Sequence, residues 1–514
     1  MFSVMISSAI AGMKSFMVNV EVDVSNGLPG FEIVGMAAGE VKEAKERVRV
    51  ALKNIGIVMP PKKITVNLSP ASLRKTGTAL DLPIAVGILT SMEILPPDAA
   101  EGILFMGELG LNGELKFVSG VLPSAMMAEK NGIKTCIVPK CNEMEGTALE
   151  KTSVLGFESL PDILEFLYTD ERGRKMLCKP KKINPKDLIE KSCSDGPDFG
   201  EVKGQEGLKR GALIAAAGFH HFMMIGPPGA GKTMIAKRIP SILPPLTVKE
   251  CMEVSQIYSI NGMLSEDNPL IIKRPFCSPH HTVTEPAMTG GGRYAKPGLV
   301  SMAHRGVLFL DEAPHFSKAV LEVLRQPMED KIIEISRSYG TYRYPADFML
   351  VIASNPCPCG YYPNRNKCRC TEEEIRRYMS RISGPVMDRI DLTVYAPAVT
   401  LQELSASKQK EISSADMRIM LKRARKIQEE RFRNLPISFN GEMSVKEIEQ
   451  FCTLEKDAGI YMERAFDKLG LSARAYHKVL KVARTIADLD GSRHIGVNHL
   501  SEAIGYRTFV QTDI

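Results

Sequence analysis

The stretch Gly226-Pro227-Pro228-Gly229-Ala230-Gly231-Lys232-Thr233 constrains the fold of this chain more than any other. An apolar run, Phe222-Met223-Met224-Ile225, precedes it. Met234-Ile235-Ala236-Lys237-Arg238, the expected start of a helix, follows it. Strand, glycine-rich turn, Lys-Thr and helix is the order that a phosphate-cradling loop needs. The glycines let backbone N–H groups turn inward around β- and γ-phosphates, where a side chain would block the approach. Lys232 brings a point charge to those phosphates, and the Thr233 hydroxyl offers a ligand for Mg²⁺. A Gly/Pro-rich loop with an accidental Lys-Thr is the bland alternative, and the flanking strand and helix argue against it.

Two further apolar runs suit a nucleotide site. Gly306-Val307-Leu308-Phe309-Leu310 ends in Asp311-Glu312, and Phe348-Met349-Leu350-Val351-Ile352-Ala353-Ser354 ends at Asn355. Acids at the carboxyl end of a buried parallel strand stand where nucleotides bind. Asp311 is expected to coordinate Mg²⁺, directly or through water, and Glu312 to polarise the attacking water. Thr233 and Asp311 form the expected Mg²⁺ set.

A chain of 514 residues suggests about three domains. Its net charge of +6 is compatible with nucleic acid without being diagnostic of it. No apolar run approaches the ~20 residues that span a membrane, and the first ten residues lack the pattern of a secretory signal. Eleven cysteines, an odd and mostly scattered set, suit a reducing cytosol better than a disulfide framework.

The amino-terminal part reads as α+β and ends near residue 170. Val18 to Val24 alternates as a half-buried strand, and Lys63 to Leu68 is another. Asp81 to Leu89 is apolar enough for a buried helix, and Gly107 to Leu115 reads as strand, tight turn, strand. Residues 171–198 are polar and Gly/Pro-punctuated, as an interdomain linker would be. Beyond residue 400 the chain turns helical. Arg418, Lys422, Arg423, Arg425 and Lys426 crowd one segment there, as a nucleic-acid-binding or a solvent-facing helix would.

Three insertions stand out. The first carries His280-His281 and the Gly-rich Gly290-Gly291-Gly292-Arg293. Adjacent histidines in a strand point to opposite faces, which disfavours shared metal ligation. The second, residues 331–348, predicts a β-hairpin whose Arg337, Arg343 and tyrosines could contact a threaded nucleic-acid strand. The third is Cys357-Pro358-Cys359 with Cys368-Arg369-Cys370, four thiols within fourteen residues. A tetrahedral Cys₄ zinc site is the natural cytosolic use of such a set, with a redox pair or free thiols as the alternative.

Gly107 to Leu115, Ser119-Gly120-Val121-Leu122 and Ile133 to Pro139 resemble the proteolytic domain of Lon, which has a ribosomal-S5-type fold. Lon would need a Ser within Lys75 to Asp81 and a Lys after Ser119-Gly120. This chain has neither, so residues 1–170 are expected to be a Lon/S5-like domain without protease activity, serving structure or DNA contact. From residue 199 onward the chain resembles the magnesium-chelatase-like AAA+ ATPases, and with the amino-terminal domain it resembles the YifB/ComM family. The motifs that carry the likeness are Gly226–Thr233, Ser278-Pro279-His280-His281, Gly306–Glu312, Asn355 to Gly360 and Ser383–Leu392. His315 and Ser354 depart from the usual residues at their positions.

The resemblance implies a P-loop α/β AAA+ core over residues 199–400 with a Cys₄ insertion, and a helical lid over 401–514. It places Val202 and Gln205 against adenine and makes Asn355 a water-positioning residue. Arg389 becomes the arginine donated to a neighbouring subunit, with Arg381 as runner-up. Arg474 becomes the lid arginine at the γ-phosphate, and the Gly-rich loop projects toward a central pore. Family membership further implies a cytoplasmic hexamer using ATP and Mg²⁺ to move on DNA, in helicase or branch-migration steps of recombination and natural transformation. A metal-chelatase motor subunit and a protein-remodelling ATPase remain the alternatives.

Overall fold

The computed structural model describes residues 2–170, 173–174, 181–191, 196–337, 340–399 and 411–508. Parts of the expected linker and lid, and Ser338-Tyr339 at the hairpin tip, lie outside them.

The amino-terminal sheet has seven strands: β1 (Phe2–Ala11), β2 (Lys14–Ser25), β3 (Gly30–Val34), β4 (Lys63–Ser69), β5 (Ile103–Phe105), β6 (Thr135–Pro139) and β7 (Ser153–Phe157). Their order is β3-β4-β2-β1-β5-β6-β7, antiparallel at β1–β2 and β2–β4 and parallel elsewhere. The period of two in β2 puts Val18, Val20, Val22 and Val24 in the core. Helix α1 (Asp81–Ser91), buried along its whole length, covers that face, and helix α2 (Val121–Lys130) follows further along the chain. Glu108–Leu109 and Leu115–Lys116 pair antiparallel around a tight turn, as their sequence predicts.

The second sheet has five strands: β8 (Phe222–Ile225), β9 (Phe276–Cys277), β10 (Val307–Leu310), β11 (Met349–Ser354) and β12 (Leu392–Tyr395). All pairings are parallel, in the order β9-β10-β11-β8-β12. These are the continuous apolar runs of the sequence, and a strand buried on both faces needs no alternation. Because the strands run the same way, Gly226, Asp311 and Asn355 all leave the sheet at one edge. Helix α4 (Glu206–Gly218) packs on one face, and the later helices α8 (Ser414–Arg431), α9 (Ala473–Leu489) and α10 (Val497–Thr508) share its core from Phe199 to Ile504.

Two findings differ from the local sequence signal. Within the expected linker, Pro185–Lys191 forms a helix, α3, whose Ile189 is buried with Leu122 and Leu246. The polar Lys186, Asp187, Glu190 and Lys191 hide this contact from a composition-based reading. The amino-terminal domain is also bonded directly to helix α6 (Val248–Ile260). Gly120 N–H donates to the Ser259 carbonyl (2.9 Å), and the Ser259 hydroxyl donates to buried Glu145 (2.5 Å). Among the described residues no helix is long and apolar enough to cross a membrane.

Candidate functional site

The loop after β8 and the first turn of helix α5 (Lys232–Ile242) wall a cavity of about 390 Å³. Pro228 through Met234, Asp311, Glu312, Ala353, Ser354 and Asn355 line it. Gly229 and Gly231 have φ of +76° and +82°, the left-handed region where a Cβ is costly. Gly226 is required for a different reason, since a Cβ there would stand 2.3 Å from the Ala396 carbonyl oxygen.

The sequence-expected residues meet in this cavity. Lys232 Nζ donates to the carbonyls of Gly226 (2.6 Å) and Pro227 (2.9 Å) and to Asn355 Oδ1 (3.2 Å). The Thr233 hydroxyl donates to Asp311 Oδ2 at 2.8 Å, which places the two expected Mg²⁺ ligands side by side. The Glu312 N–H donates to Asp311 Oδ1 (3.0 Å), and Glu312 holds φ +50°. A non-glycine residue there stores backbone strain of the kind that gathers at functional sites. Burial pushes the Lys232 ammonium down to about 8 while Asp311 and Glu312 pull the other way. The amine is thus held on loop carbonyls in a dry setting, where a polyphosphate would compete for it. These donors and acceptors can bind a nucleotide triphosphate, hold its Mg²⁺ and orient a water.

Several expected residues do not line this cavity. Val202 is buried in the motor core, and the Gln205 side-chain amide donates to the Pro397 carbonyl (2.7 Å) while its Oε1 is buried without a partner. Arg389 and Arg474 line a separate cavity of about 320 Å³. Arg389 donates to the Pro385 carbonyl (2.6 Å) and pairs with Glu329, and Arg474 approaches the same Glu329 (3.7 Å). Arg474 is therefore not at the chain's own phosphate loop; it stands beside Arg389. Arg381 lies elsewhere, 3.5 Å from the Pro314 carbonyl.

Sequence reasoning missed what fixes this second cavity. Lys478, one turn after Arg474, pairs with Asp391 at 2.9 Å, two residues after Arg389. Burial opposes ionisation of Asp391, but Lys478, His220 and His221 hold it well below the usual carboxylate range. The pair joins α9 to the Arg389 turn. Its members lie within the two quoted segments, yet nothing local marks them as partners.

Other expectations are revised. His280 and His281 follow the end of β9 and are not in a strand, so their rings lie 4.1 Å apart rather than on opposite faces. Among the described residues the grouping suited to a metal is Cys357, Cys359, Cys368 and Cys370, whose sulfurs lie within 4.8 Å of one another. The hairpin forms from Ile332–Arg337 and Gly340–Pro345. Arg337 and Arg343 are exposed, but Tyr344 is buried, donating to the Ala295 carbonyl (2.7 Å), and is not free to stack on a base. In the Gly-rich loop Arg293 pairs with Glu40 of the amino-terminal domain (3.2 Å), so this loop contacts that domain. In α8, Arg418 donates to the Ser241 carbonyl (3.0 Å) and Arg425 stacks 4.4 Å from the Phe439 ring centroid, which leaves Lys422, Arg423 and Lys426 as the solvent-facing cations. Lys75 of the amino-terminal domain is fully buried and donates to the Gly35, Leu68 and Pro70 carbonyls.

Comparison with known proteins agrees with this arrangement. Residues 198–404 match the family described as magnesium chelatase, subunit ChlI. Residues 20–142 match subunit ChlI of Mg-chelatase, and residues 411–507 match the ChlI C-terminal family. Competence protein ComM of Haemophilus influenzae is 40% identical over 99% of this chain and 98% of its own length. The Escherichia coli protein YifB is 42% identical over 98% of this chain and 97% of its own. The magnesium-chelatase 38 kDa subunit of Cereibacter sphaeroides is 25% identical over 31% of this chain and 52% of its own length. With full-length relatives at this identity and a phosphate loop, paired acids and Asn355 converging on one cavity, the chain belongs to the YifB/ComM family of magnesium-chelatase-like AAA+ ATPases.

Proposed function

We propose that this chain is an Mg²⁺-dependent ATP hydrolase that works as a cytoplasmic hexameric ring and couples hydrolysis to movement along DNA, driving branch migration in recombination of incoming DNA. The observation that carries the hydrolase reading is the convergence of Lys232, Thr233, Asp311, Glu312 and Asn355 on one cavity. Lys232 and the loop N–H groups hold the phosphates, Thr233 and Asp311 hold Mg²⁺, and Glu312 with Asn355 orients the attacking water. Arg389 and Arg474 serve the γ-phosphate of the adjacent subunit. Their shared position on Glu329, outside the lining of the chain's own phosphate cavity, supports that reading.

The DNA part rests on the competence protein among the full-length relatives and on the exposed Arg337 and Arg343 of the hairpin. Residues 1–170 are read as a Lon/S5-like domain without peptidase chemistry, and the helices from residue 411 as the lid. A chelatase motor is less favoured, because the chelatase subunit covers 31% of the chain.

Lys232→Ala is expected to abolish nucleotide turnover, and parental turnover in that variant would overturn the hydrolase reading. ATPase rates with and without forked DNA, alongside strand exchange on a four-way substrate, test the rest. No stimulation by DNA and no ATP-dependent exchange would reject the DNA motor, and stimulation by an unfolded protein instead would favour a remodelling ATPase.

A further inference from the structure

The phosphate cavity has a neighbour that the ATPase reading leaves unused. At Asn355 the chain leaves the sheet for a loop without regular secondary structure that carries Cys357, Cys359, Cys368 and Cys370. All four are free thiols, and Cys357 and Cys368 are buried. Cys357 Sγ lies 3.3 Å from Cys359 Sγ and 3.7 Å from Cys368 Sγ, and Cys359 and Cys368 are 3.5 Å apart. Tetrahedral zinc with Zn–S bonds of 2.3 Å sets sulfurs about 3.8 Å apart, so these three sulfurs stand close to three corners of such a site, and Cys370 Sγ lies within 4.8 Å of each of them. The Tyr362 N–H points at Cys357 Sγ (3.5 Å), the kind of outer contact that orients a thiolate ligand.

The cluster touches the nucleotide cavity on two sides. Gly360 N–H donates to the Cys357 carbonyl (3.0 Å), closing a turn in which Gly360 has φ +85°. That turn presses on the phosphate loop, since a Cβ on Gly360 would stand 2.7 Å from Cδ of Pro228. On the other side, Thr371 caps helix α7 (Glu372–Met379) immediately after Cys370, and Ile375 packs on the cysteines. Tyr378 at the far end of α7 meets the His315 ring, centroids 6.1 Å apart. His315 N–H in turn donates to the Glu312 carbonyl (2.9 Å). Apart from three prolines and two tyrosines, the loop between Asn355 and α7 has no apolar side chains other than the cysteines to hold this shape.

We propose that Cys357, Cys359, Cys368 and Cys370 bind one Zn²⁺ per chain, and that this ion acts as a positioning element for the ATP site. It fixes Asn355, the Pro228 side of the phosphate loop and, through α7, the Glu312 turn. The coupling rests on the Lys232 cavity being an ATP site, whereas the metal site does not. With four thiolates there is no open coordination position, so the ion takes no part in chemistry. Its loss should disturb the placement of the water-orienting groups more than the grip on the phosphates, which Lys232 and the Gly229–Gly231 backbone provide.

The test uses the full-length chain, zinc-loaded, stripped with a chelator under reducing conditions, and refilled with Zn²⁺ or Co²⁺. The expected results are one zinc per chain, a thiolate-to-Co²⁺ charge-transfer band with a tetrahedral d–d signature, and a drop in kcat of about tenfold or more on stripping. The nucleotide Kd should change by less than about threefold, far-UV circular dichroism should be retained, and Zn²⁺ should restore the rate. Cys368→Ser should lose the cobalt spectrum and the rate together, and Cys368→His, which still offers a ligand, should keep both in part. Absence of zinc with cysteines that prove disulfide-bonded would overturn the metal site. A stripped, folded chain with holo-level kcat would overturn the coupling, as would a Kd that rises by as large a factor as kcat falls. A zinc-loaded wild-type chain that turned over no ATP would overturn the hydrolase reading and the coupling with it, while the cobalt spectrum would still decide the metal site.

Discussion

Lys232 and Glu312 occupy one cavity but do different work, and single substitutions should separate them. Lys232 reaches into the cavity from the helix end with its amine already desolvated, so losing it removes the cation that meets the phosphates. Glu312 makes no side-chain contact with Lys232 or Thr233, and its strained backbone aims it from the end of β10. Glu312→Gln keeps the shape and removes the base. It should bind ATP with Kd unchanged within about twofold and slow turnover by about 10²-fold or more. Equilibrium binding of a fluorescent nucleotide beside a phosphate-release assay reads both quantities, and a variant that lost binding would place Glu312 in the phosphate grip instead. These residues were legible in the sequence because Lys232 follows a strand and a glycine-rich turn at the start of a helix, and Glu312 stands just past the end of an unbroken apolar strand. Glu329 was not legible. Its partners Arg389 and Arg474 come from segments far along the chain, and an isolated acid near the end of a short helix carries no sign of two distant arginines.

At the level of elements, the β8, β10 and β11 strands were readable from their apolar runs and the α4 helix from its alanines. What the pattern could not give was how α9 is fixed to the sheet. The Lys478–Asp391 pair does this, and both side chains are mostly buried. Removing one member leaves the other uncompensated, so Asp391→Asn should destabilise the motor by about 3 kcal/mol in denaturant unfolding. The folded-state pKa of Asp391 is depressed, so its contribution is fully present above the ordinary Asp value and is lost as pH falls through the folded one. The stability gap between wild type and variant should thus hold from neutral pH down to about pH 4 and close only below it. A gap that closed between pH 7 and pH 5 would show that the effect does not come from the Asp391 carboxylate. The α3 helix teaches the same lesson from the other direction. Buried Pro185 and Ile189, set among charged residues, dock a segment whose composition reads as linker.

For the whole molecule the decisive question is where Arg389 and Arg474 act. Both stand on Glu329 in a cavity apart from the one that Lys232 lines, so a single chain presents a phosphate grip and an arginine pair on different surfaces. A ring of head-to-tail subunits, each using the same two unlike surfaces, would bring the pair of one chain to the phosphates of the next. That arrangement predicts complementation. Lys232→Ala subunits retain their arginines, and Arg389→Ala subunits retain their phosphate loop, and each homogeneous protein should be inactive. In a freely mixed one-to-one assembly, about a quarter of the interfaces would pair an intact loop with an intact arginine, if subunits assort at random. ATPase activity of the mixture should then rise well above the sum of its parts, approaching about a quarter of the wild-type rate at saturating ATP if the interfaces fire independently. A mixture that stayed inactive, under conditions where native mass measurement shows mixed rings, would put Arg389 in the service of its own chain. The Glu329 ion pair would then be its resting place and not a station on the way to a neighbour.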